Sequence, residues 1–145
     1  APGFALPENL RFICTMNTAD RSIALLDAAI RRRFYFVPFF PDTPPIEGLL
    51  RRWLVRNNPD YEWVADVVDR ANALLGDRHG QIGPSYFMDR DLDEEWVRLI
   101  WEHAVLPYVE EQHFGQDGAL EPYRLDRLRN PRIRVDELDG NVDAP

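Results

Sequence analysis

The sequence predicts an α/β segment of two parallel strands followed by an all-α segment. Two apolar runs rich in β-branched and aromatic residues, 10–15 and 34–40, flank a short amphipathic stretch, giving the order strand, helix, strand. Such a connection makes the two strands parallel. Residues 41–45 then hold three prolines, and the periodicity beyond them is helical rather than alternating.

Residues 1–8 carry proline and glycine without period and read as a lead-in. The run 10–15 reads as a buried strand, with Cys14 as a buried structural thiol within it. Asn17 stands at its carboxyl end, where open parallel sheets carry their chemistry. Thr18 or Asp20 can cap the helix that follows, and Ile23, Leu26, Ala29 and Ile30 recur at helical spacing. Arg31, Arg32 and Arg33 fall in its last turn, where cations suit the negative end of the dipole. Pro38 marks the second strand as an edge or a strand end.

Beyond the prolines, residues 46–56 form a helix with Leu49, Leu50, Trp53 and Leu54 on one side. Residues 60–75 form another, capped by Asp60 and stopped by Gly76, with Trp63, Val64, Val67, Val68, Ala71 and Leu74 inward. Residues 77–88 read as an irregular connector. Residues 92–114 form a long helix capped by Asp91 or Asp93, with Trp96, Leu99, Ile100, His103 and Ala104 on its core face and a kink or break at Pro107. A last amphipathic stretch covers 120–128, and 131–145 is an acidic, aperiodic tail.

A hydrophobic content of 45% supports a packed core, and no apolar run approaches a membrane span. The start lacks the pattern of a signal peptide, and the single cysteine cannot form an internal disulfide, which fits the cytoplasm. A net charge of −8 opposes broad electrostatic adhesion to nucleic acid. His79, His103 and His113 show no metal-ligand spacing, so no metal site is expected within the chain. Every cation is arginine, and no Ser/His/Asp set has supporting context.

Cys14-Thr15-Met16-Asn17, followed by Asp27-Ala28-Ala29 and Arg31-Arg32-Arg33-Phe34, resembles the second half of an AAA+ nucleotide hydrolase core. Met16-Asn17-Thr18-Ala19-Asp20-Arg21-Ser22, with Ile82-Gly83-Pro84-Ser85-Tyr86-Phe87, narrows the resemblance to the McrB-type, or AAA-5, branch over roughly residues 7–114. That branch holds the GTP-hydrolysing motor subunit of restriction systems that cut modified-cytosine DNA, and its AAA-5 relatives, among which ATP is common. The resemblance implies a sensor-1 strand, an arginine-finger helix and a helical lid. In these terms residues 1–41 are the carboxyl-terminal part of the AAA+ α/β core, 42–130 the lid subdomain and 131–145 the tail.

The resemblance makes Asn17 a sensor whose amide bonds the γ-phosphate or the attacking water; the residue by itself could equally satisfy a turn. It makes Arg32 or Arg33 the finger reaching a neighbouring subunit's nucleotide, against the dipole-matched helix end that the triplet alone describes. Asp20 either caps the helix or joins the polar network around the hydrolytic water, and Asp27 orients an arginine or an amide at the subunit face. Ser85 and Tyr86 face the base or the lid hinge, or simply pack. Pro84 stands where the branch usually has histidine, which leaves GTP and ATP both open.

The chain contains no Gly-x-x-x-x-Gly-Lys-Ser/Thr loop and no apolar strand ending in paired acids for magnesium. It therefore reads as the carboxyl-terminal piece of a larger motor. The resemblance implies a homo-oligomeric ring of six, an NTP with Mg2+, an endonuclease-type partner and DNA in the complete system, and no nucleotide chemistry by the 145 residues alone. The rival is a non-enzymatic helical interaction module with a vestigial motif.

Overall fold

In the computed structural model, which describes residues 7–16, 32–113 and 118–130, every regular element is helical. The chain divides into two compact units, Ala1–Phe36 and Val37–Pro145.

In the first unit the expected strand at 10–15 is not formed. Its residues lie in irregular backbone, with Phe12 exposed and Ile13 96% exposed. The Leu10 N–H turns back to the Pro7 carbonyl, and the Arg11 guanidinium donates to the carbonyls of Glu8 and Leu10. Residues 34–40 likewise form no strand, and Tyr35 is fully exposed. The reason is common to both runs. A strand satisfies its N–H and C=O groups only beside another strand, and no pairing occurs among the described residues. Cys14, expected to be buried, is exposed for the same reason. The expected helix between the runs lies outside the described residues, as does the acidic tail.

The second unit opens on turns through the proline stretch, with a cis peptide at Pro44–Pro45. Gly48, at φ 65°, lets the chain enter helix α1 (Leu49–Asn57), which buries Leu50 and Leu54. Helix α2 (Trp63–Leu75) follows a 3-10 turn at Pro59–Tyr61 and buries Val64, Ala65, Val67, Val68, Ala71 and Asn72. Asp60 sits in that 3-10 turn and does not cap α2. The expected stop at Gly76 is present, with φ 68°. Leu74 lies outside the core and is half exposed. Arg51 ties the two helices by pairing with Glu62, Asp66 and Asp69, at 3.2, 2.6 and 3.3 Å. Its pKa is raised, chiefly by the hydrogen bond to Asp66.

Helix α3 (Glu94–Ile100) passes through a π turn (Trp101–Val105) into α4 (Leu106–Gln112). Asp93 is the cap, accepting the Trp96 N–H at 2.7 Å. The Leu106 N–H reaches back five residues to the Trp101 carbonyl. Pro107 thus enters the first turn of α4, where its missing N–H costs nothing, and the widened turn takes the place of a break.

The core face of this element differs from the expected one. Val97, Trp101, Val105 and Val109 are buried, while Trp96, Leu99 and His103 are exposed. Residues four apart drift by about 40° per step in a regular α-helix. The wider π turn between Trp101 and Val105 offsets that drift and keeps the set on one face. Helix α5 (Leu125–Arg129), the last element among the described residues, follows a 3-10 turn at Glu121–Tyr123 and buries Leu125 and Leu128. Arg129 lies 3.9 Å above the Trp63 ring and pairs with Glu94 at 2.6 Å, so one side chain joins α5 to both α2 and α3.

Candidate functional site: the connector loop of the helical unit

Residues 76–88 hold the motif Ile82-Gly83-Pro84-Ser85-Tyr86-Phe87. Asp77 opens the segment by accepting the His79 N–H at 3.0 Å, forming the 3-10 turn Arg78–Gly80. Gly80 is buried, and a Cβ there would meet the Gln112 side-chain oxygen at 3.2 Å, so the absent side chain lets the loop approach the end of α4. Arg78 reaches the other way. It pairs with Asp42 at 3.0 Å and lies over the Phe40 ring, whose partner at right angles is the His79 imidazole.

The fixed point of the loop is Asn72, buried on α2. Its amide nitrogen donates to the Ile82 carbonyl at 3.0 Å, and its carbonyl oxygen accepts the Ile82 N–H at 2.6 Å. One side chain therefore satisfies both backbone groups of a buried loop residue, as burial requires. Sequence reasoning missed Asn72. The available signal was a polar residue beside Ala71 on the apolar face of α2.

Ile82 and Phe87 are the anchors of the motif, both fully buried. Phe87 stacks on Trp101, with centroids 6.0 Å apart. The Trp101 indole N–H in turn donates to the Tyr123 carbonyl at 2.9 Å. Pro84 starts the 3-10 turn Pro84–Phe87, where its fixed φ suits a first turn. Between the anchors, Ser85 and Tyr86 face outward, and Tyr86 is 40% exposed. Next to them stands the half-buried Tyr108. Its pKa is raised by burial first, then by Tyr86, Asp77 and Glu111. The motif is thus a staple with two apolar legs, presenting Ser85 and Tyr86 to solvent.

Residues 63–121 match the family model described as McrB, alpha-helical lid domain. Over these residues the chain is similar to the McrB helical lid. The chain is also 32% identical over 144 residues to the type IV methyl-directed restriction enzyme EcoKMcrB subunit of Escherichia coli (strain K12), an alignment covering 88% of this chain and 29% of that protein. The chain thus spans less than a third of the length of this curated relative. No solved structure matches it. Within this lid-like segment the stapled motif joins α2 to α3.

The other expected site residues lie away from this loop in sequence. Arg32 and Arg33 belong to the first unit, exposed in a turn, and form no ion pair among the described residues. Asn17, Asp20 and Arg31 lie outside the described residues. No group of three or more His, Cys, Asp or Glu able to hold a metal occurs among the described residues, and no helix among them is long and apolar enough to cross a membrane.

Proposed function

We propose that this chain is the carboxyl-terminal part of an AAA+ nucleoside triphosphatase of the McrB-like branch. Residues 1–41 correspond to the end of the AAA+ core, their two apolar runs becoming strands only when paired within the complete core, while 42–130 form the lid and 131–145 are an acidic tail. The observation that carries the proposal is the reach of the similarity. The lid family matches residues 63–121, whereas the alignment to the restriction-enzyme subunit extends over 88% of the chain. The segment with Asn17 and the arginine triplet then has the role its wording implies.

The sequence carries no phosphate loop, so in the proposal the chain's residues act on a GTP or ATP held elsewhere in a cytoplasmic homo-oligomeric ring, six-membered in the branch. The Asn17 amide orients the attacking water, with Asp20 in the same polar network. Arg32 or Arg33 places a guanidinium at the neighbouring subunit's site, where the delocalised charge stabilises a transferring phosphoryl group. Exposed, turn-borne arginines suit that reach. The lid offers Ser85 and Tyr86 from a loop held rigid by Asn72. The ring drives an endonuclease-type partner on DNA.

The test uses the full-length protein. Arg32→Ala and Arg33→Ala are each mixed with a phosphate-loop lysine variant, and nucleotide turnover is measured. A finger acts in trans, so one arginine variant loses about 10³-fold or more of turnover alone and regains part of it on mixing. Normal turnover by both, with only a slightly lower melting temperature, would leave the arginines as helix-end cations worth about 0.3–1 kcal/mol and remove the catalytic assignment.

A further inference from the structure

The outward face of α3 carries a feature that neither the lid packing nor the proposed hydrolysis uses. Trp96 and Leu99 are 44% and 43% exposed, side by side on the helix. They line an open depression of about 450 Å³ whose other walls are Asp89, Asp91, Asp93 and Glu95. Two large apolar side chains exposed side by side and rimmed by charged groups are the composition of an interaction surface. Here the core face is already filled by Val97 of α3 and Trp101 of the π turn that follows it.

Of the four acids around the pair, two are engaged by backbone N–H groups and none by a cation among the described residues. Asp93 caps α3, and Asp89 accepts the Asp91 N–H at 3.0 Å. Asp91 and Glu95 form no ion pair among the described residues, whereas the neighbouring Glu94 is held by Arg98 and Arg129. Within residues 89–95 Arg90 is the lone cation against five acids. The rim therefore repels nucleic acid, and it disfavours a second copy of a chain whose net charge is −8. What complements it is positive charge around an apolar tip.

We infer that the Trp96–Leu99 face is a docking surface for a cationic protein segment that inserts an apolar side chain between flanking arginines or lysines. Trp96 supplies apolar area and a ring face for a guanidinium, Leu99 completes the apolar floor, and Asp91 and Glu95 select for charge. This inference does not rest on the hydrolytic role of the parent protein.

A short synthetic peptide with arginines flanking one leucine, titrated into the 145-residue chain by calorimetry at low salt, tests it. Trp96→Ala and the pair Asp91→Asn with Glu95→Gln should each weaken binding by at least about tenfold, and added salt should weaken it further. Glu47→Gln with Glu110→Gln, which removes two charges elsewhere, should leave binding unchanged, and a peptide with serine for leucine should bind far less. Equal weakening by both charge pairs, or equal binding of the serine peptide, would reduce the effect to bulk charge and overturn the assignment. So would self-association of the chain that Trp96→Ala abolishes, which would give the face to a second copy. Absence of binding to the unaltered chain also overturns it.

Discussion

Asn72 and Ile82 are joined by two hydrogen bonds that run in opposite directions between one side chain and one backbone unit. The pair connects the middle of α2 to the loop carrying Ser85 and Tyr86, so loop position is set from within the lid core. Asn72→Ala leaves a buried N–H and C=O without partners, each costing about 1–3 kcal/mol. We expect a loss of about 2–4 kcal/mol in urea unfolding. Asn72→Asp keeps the acceptor but sets a carboxylate against the Ile82 carbonyl, and should be no better than alanine. A shift below about 0.5 kcal/mol for both variants would mean that the loop is held by Ile82 and Phe87 alone.

Alkaline pH should loosen the lid. Burial raises the pKa of Tyr108 and of Tyr123, which is 3% exposed with its hydroxyl 3.3 Å from His113 Nε2. The unfolded chain therefore releases these phenolic protons first, from about pH 10. Their contribution is fully present below that pH and is lost as pH rises towards the folded-state values. Urea midpoints should fall above about pH 10, and Tyr108→Phe should flatten the fall. An unchanged slope in that variant would exclude Tyr108 as a source.

For Asn17, the expected signature is kinetic. In the full-length protein Asn17→Ala should slow hydrolysis strongly while nucleotide affinity stays close to the original, because an amide that positions water acts mainly in the transition state. Equal losses in affinity and turnover would make Asn17 a turn residue of structural importance only.

The 145 residues by themselves should neither bind nor hydrolyse nucleotide, since they contain no phosphate loop and their described part no metal-ligand group. Calorimetry with GTP and ATP in magnesium is the measurement. Micromolar, magnesium-dependent binding would show that the lid and the arginine segment hold nucleotide unaided.

What the sequence determined by itself was local. Gly76 ends α2 because only glycine enters the left-handed region freely, and Asp93, one of the two acids the sequence offered as cap, starts α3 because its carboxylate accepts the free N–H three residues on. The motif Ile82–Phe87 could be read as a lid signature from its wording, and the lid family match covers it. Tertiary structure decided the rest. The stretch 94–109 is apolar on two faces, so periodicity alone admitted Trp96 and Leu99 as core; the π turn before Pro107 and the stack of Phe87 on Trp101 chose Val97, Trp101, Val105 and Val109 instead. The runs 10–15 and 34–40 have strand composition, yet a strand is a relation between two segments, and no second segment pairs with either among the described residues. Asn72 was invisible for the same reason. Its meaning lies in the Ile82 backbone ten residues away, and only the folded chain brings the two within hydrogen-bond reach.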